Sequence, residues 1–159
     1  MKLIKYDLQI VWIMIIVTCI VFILNLYRNT KIISCFKNKT ITKKIIILLI
    51  TIIHIVIVIF SIFGWLFFNK KILLIYIVVQ FLLFAHWITN GWKCKLSQIV
   101  NNICNFEDSF LFFDNSLLII ELLNYIGIDK LHSNKYNNNY LFMYFYITAI
   151  FIALYKLQK

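Results

Sequence analysis

Proline is absent from this chain and glycine occurs three times in 159 residues, so almost nothing punctuates a long helix. Carboxylates are also scarce, with six Asp and Glu against sixteen Lys and Arg, a formal charge of +10. No acidic pair sits inside an apolar run. There is no Gly-rich phosphate loop, no Ser-His-Asp order and no His-Glu-x-x-His helix. These absences remove the usual grounds for reading an enzyme, and none is expected. The four cysteines, at 19, 35, 94 and 104, lack any C-x-x-C spacing, so the pattern yields neither a zinc site nor a disulfide framework. Cys19, within an apolar run, is expected to pack as a small hydrophobe.

What the chain has in excess is apolar length. Hydrophobic residues make up 63% and charged residues 14%, against roughly 45–50% and 25% in an average soluble domain. Mean hydropathy is +0.89. The excess falls in continuous stretches, which points to an all-α integral membrane bundle forming a single domain over 1–159. Four transmembrane spans are expected, at 8–26, 45–68, 72–92 and 140–155. The fourth is short, with a rim of Tyr140, Tyr144, Tyr146 and Tyr155 suited to an interfacial aromatic belt. The first run exceeds a signal-peptide core and lacks small residues for cleavage, so it reads as an uncleaved span.

The basic residues cluster at the edges of these runs, as near an anionic membrane surface, and no groove-reading or RNA-binding motif accompanies them. The expected partner is therefore the lipid bilayer, with other membrane proteins or a second copy, and not nucleic acid. Four spans put ten basic residues on one side and six on the other. That bias places the 28–44 loop in the cytosol and both termini opposite. The 93–139 segment then forms a cytosolic, partly amphipathic stretch holding five of the six acidic residues. Leu96, Ile99, Val100 and Ile103 give it a helical stripe that Ser97 could cap. Ser116 to Ile126 forms a second short element, and 128–139 a polar loop.

Spans two and three form a hairpin about Lys70, with His54 sixteen positions before it and His86 sixteen after. At 1.5 Å per residue both imidazoles lie about 24 Å from the turn. Gln80 and Asn90 join them in a polar seam, with Thr51, His54, Ser61 and Trp65 on one helical face. Two readings of the histidines stand side by side. They hydrogen-bond neighbouring helices, at about 0.6 kcal/mol each, or they bind haem as paired axial ligands or relay protons. Cys94, between Lys93 and Lys95, is a candidate for acylation or redox chemistry, since positive charge stabilises a thiolate. Cys35, in the basic loop, is a second acylation candidate.

The stretch His86-Trp87, Thr89-Asn90, then Cys94-x-Leu96-Ser97, following "FGWLFFNKKILLIYIV", resembles a family of small multi-spanning membrane proteins found in large DNA viruses and algae. A bacterial family with Cys-Pro-Leu-Thr at this place is more distantly similar; Ser97 and Lys95 here depart from its threonine and proline. The resemblance covers about residues 45–105. It implies a shared helical hairpin and edge motif and no activity, and a viral or organelle membrane is the expected setting. The expected role is accordingly structural or interactive. The alternatives are a redox protein binding haem through His54 and His86, and a small channel or transporter.

Overall fold

The structure, a computed structural model, describes residues 2–28, 30–91, 93–106 and 135–159. The helices are α1 Lys2–Arg28, α2 Thr30–Lys37, α3 Ile41–Phe63, α4 Lys70–Thr89, α5 Lys95–Cys104 and α6 Lys135–Gln158, with a 3-10 turn at Gly64–Leu66. No strand occurs among the described residues. Three helical windows are long and apolar enough to cross a membrane: Lys5–Leu24, Ile41–Leu66 and Lys70–Thr89. They coincide with the first three expected spans. The fourth falls within α6, whose apolar part, Tyr146–Gln158, is shorter.

Several boundaries differ from expectation for local reasons. Lys135–Asn139, expected in a polar loop, opens α6, because no glycine or proline stops the helix from extending beyond its apolar body. Residues 30–37, expected as loop, form α2. The helix α5 starts at Lys95, with Cys94 in the extended N-cap position, and Ser97 is buried on its inner face. That buried face is Ser97, Val100, Asn101 and Cys104, one step round from the expected stripe; Ile99 is exposed. The expected element 116–126 lies outside the described residues.

These helices stop where polar side chains and tight turns take over the backbone's unmet hydrogen bonds. Asn69 caps α4, its Oδ1 accepting the Lys71 N–H at 2.9 Å. At the other end the Asn90 N–H returns to the His86 carbonyl. Gly91 follows with φ of +60°, a left-handed turn that glycine takes without strain. Asn105 ends α5 in the same way, with φ of 57°, and the Phe106 N–H closes back on the Asn101 carbonyl at 2.9 Å.

Helix pairing departs from a simple hairpin. α1 packs chiefly on α3, and α4 chiefly on α6, while α5 lies across the start of α3. Two cores result. At the 64–69 end, Phe67, Leu73, Tyr76, Ile77, Ala149 and Ala153 are buried together, with Ile10 and Met14 of α1 against them. At the far end, Cys35, Ile47, Val100 and Cys104 form the second.

The turn between α3 and α4 is gripped by one charge of each sign. The Asp7 carboxylate accepts the Phe68 N–H at 2.7 Å and the Asn69 N–H at 3.0 Å. It sits where α4 begins and the helix dipole is positive. The Lys156 ammonium donates to the carbonyls of Trp65 and Leu66 at 3.0 and 3.2 Å, where α3 and its 3-10 extension end. It also lies 4.5 Å from the centre of the Phe68 ring. Burial draws the Lys156 pKa below the ordinary lysine range, and Asp7 pushes it back up. Lys156→Met should therefore cost about 1–2 kcal/mol, because it strands carbonyls that a charged donor now satisfies. Thermal unfolding in mild detergent checks this; an unchanged midpoint would remove the clamp from the stability argument.

Candidate functional site

Polar side chains enter the bundle interior along one face of α4. Leu73, Tyr76, Ile77 and Gln80 recur at helical spacing and are the buried residues of that helix. Opposite them α6 presents Ala149 and Ala153, 2% and 0% exposed. Two small residues four apart let helix backbones approach closely. This spacing is legible in the sequence as Ala149-x-x-x-Ala153. Farther along the seam Trp87 meets Tyr146 edge to face, with centroids 5.7 Å apart at 89°. Tyr146 thus turns inward, while Tyr144 and Tyr155 are exposed as a rim would be.

The expected seam residues separate into three settings. Gln80 is 3% exposed, and among the described residues neither polar atom of its amide has a hydrogen-bond partner. Tyr76, one turn before it and fully buried, donates its hydroxyl to the Ser61 carbonyl at 3.2 Å. Thr51 is buried but satisfied within its own helix, bonding the Ile47 carbonyl at 2.7 Å. Asn90 is not in the seam at all. Its amide donates to the Lys93 carbonyl at 2.7 Å and to Gln98 Oε1 at 3.2 Å, stitching the end of α4 to the start of α5.

The same joint occupies His86. Its Nε2 accepts the Lys95 N–H at 3.2 Å, one of the open donors of the α5 N-terminus. An axial-ligand role through Nε2 would have to break that bond. His54 sits half-buried on α3. Among the described residues, no three His, Cys, Asp or Glu side chains are grouped to hold a metal.

The cysteines rearrange the sequence reading most. Cys35 of α2 and Cys104 of α5 form a disulfide, with Cα atoms 5.5 Å apart and 69 positions between them in the chain. The absence of a short Cys-x-x-Cys spacing concealed this pair, because a disulfide requires proximity in space and not in sequence. A bonded Cys35 has no thiol to acylate. Cys94 remains free and half-buried at the α5 N-cap, and Cys19 is free and exposed on α1, not packed inside as expected.

No family model matches the chain, and neither a curated protein nor a solved structure is found similar to it.

Proposed function

We propose that this chain is a multi-pass membrane protein with a structural or interaction role, presenting a disulfide-tied surface cap on one side of the bilayer. One observation carries the membrane reading. The window Lys5–Leu24 is 6% buried, yet its outward side chains are Trp12, Ile16, Ile20 and Ile23, each more than half exposed. Such a face is far more apolar than water tolerates on a monomer and is what acyl chains require. α2 and α5 are short helices of strong two-sidedness, suited to lying along a membrane surface.

Two physical arguments disagree on orientation. The Lys and Arg bias favours the α2–α5 face in the cytosol. The disulfide favours the opposite, since cytosolic thiols are kept reduced. We infer that the disulfide decides, because the charge margin is ten against six, and that the termini face the cytosol.

Epitope tags at the two termini test the orientation: they should resist protease until cells are permeabilised. Accessibility in intact cells would restore the charge-based topology. Resistance to alkaline carbonate extraction tests insertion itself. An absorption spectrum separates the structural role from haem binding, because a Soret band lost in His54→Ala would overturn the structural reading.

A further inference from the structure

Over the disulfide lies a cavity of about 280 Å³, walled by Ser34, Asn38, Lys39 and Asn105. Each of these side chains offers a hydrogen-bond donor, and Lys39 adds a positive charge. Lys37, Lys43 and Lys44 stand within a few residues of it. Among the described residues the sole carboxylate side chain is Asp7. It is bound at the opposite end of the bundle, to the N–H groups of Phe68 and Asn69. Nothing described on this face offsets the four lysines.

The position of the cavity selects the kind of anion. The apolar window of α3 opens at Ile41, two residues after Lys39. Ile41 and Ile45, one turn apart there, are 76% and 51% exposed. A polar, cationic hollow is thus followed within two residues of chain by an outward apolar track, and Phe106 is among the residues lining the hollow. A soluble phosphate uses the hollow and ignores the track, whereas a phospholipid uses both.

We propose that this cavity binds the phosphodiester headgroup of an anionic phospholipid, with Lys39 as its counter-ion. The proposal rests on the membrane reading, which carbonate extraction tests separately. Full-length protein in a non-ionic detergent doped with equal amounts of phosphatidylcholine and phosphatidylglycerol, examined by native mass spectrometry, should retain one phosphatidylglycerol in preference to phosphatidylcholine. Lys39→Gln should reduce that retention roughly five-fold, the share of one lysine at a membrane surface. Lys44→Gln, which removes the same charge outside the cavity, should leave it nearly unchanged.

Equal retention of the two lipids, or equal losses in the two variants, would overturn the proposal in favour of a diffuse surface field. Lipid-free protein titrated with inorganic phosphate supplies another arm. Stoichiometric phosphate binding without a phosphatidylglycerol preference would mean a free-phosphate site and overturn the lipid assignment. Glu107 and Asp108 follow Phe106 in the chain. Retention appearing only after Glu107→Gln with Asp108→Asn would give the cavity to the chain's own carboxylates.

Discussion

A chain carrying Cys35→Ser and Cys104→Ser should lose about 4 kcal/mol of stability, the loop-closure term for a cross-link spanning some seventy residues. If, as proposed, the apolar helices lie in a bilayer, that already restricts the unfolded chain, and the loss there should be about 2 kcal/mol, the lower end of the usual range. The consequence is local as well as global. The cluster at this end contains Cys35, Ile47, Val100 and Cys104, and two of those four side chains are the bridge itself. Without it α2 loses its covalent tie to α5 and keeps the packing of Phe36 on that cluster, and an isolated eight-residue helix is unstable in water. Thermal unfolding of the wild type in dithiothreitol should match the double serine variant in the absence of reductant. Alkylation before reduction should label two thiols of the four, Cys19 and Cys94. Four labelled thiols under non-reducing conditions would sink the disulfide and restore the charge-based orientation with it.

Gly64→Ala is the second large expected effect, about 1–3 kcal/mol of destabilisation from overpacking. The backbone at Gly64 is right-handed, so the cost is not conformational. A Cβ there would run into the Tyr76 ring and crowd Phe60. The ring cannot step aside cheaply, because Tyr76 is fully buried and hydrogen-bonded to the Ser61 carbonyl. It also lies edge-on to Phe60, with centroids 5.7 Å apart. The mechanism makes a sharper claim than the magnitude. In a Tyr76→Leu background the ring is gone, and Gly64→Ala should become nearly neutral, a coupling that a double-mutant cycle measures. Additive losses would show that the alanine acts elsewhere. A milder companion is Tyr76→Phe, which strands the Ser61 carbonyl at about 1 kcal/mol.

How much of this was legible beforehand depended on whether a signal was local. Continuous apolar runs located α1, α3 and α4, since helix formation over such lengths needs no distant partner. The boundary at Asn90-Gly91 was legible for the same reason: an amide side chain and a glycine end a helix by their own chemistry. The polar residues of the hairpin were legible as residues but not as a site. His86 and Asn90 went to the α4–α5 joint, and Gln80 went to the α4–α6 seam, because the sequence does not say which helices neighbour one another.

By itself, then, the amino-acid order determined that this is a helical chain with three segments long and apolar enough to cross a membrane. It also determined where most of those segments stop. Tertiary structure decided the rest: the Cys35–Cys104 bridge, the Asp7 and Lys156 grip on the turn, and the closeness of Gly64 to Tyr76. The physical reason is one of range. Hydropathy and capping act within a few residues, whereas a disulfide 69 positions apart, or an ammonium reaching carbonyls about ninety positions away, exists only once the helices have packed.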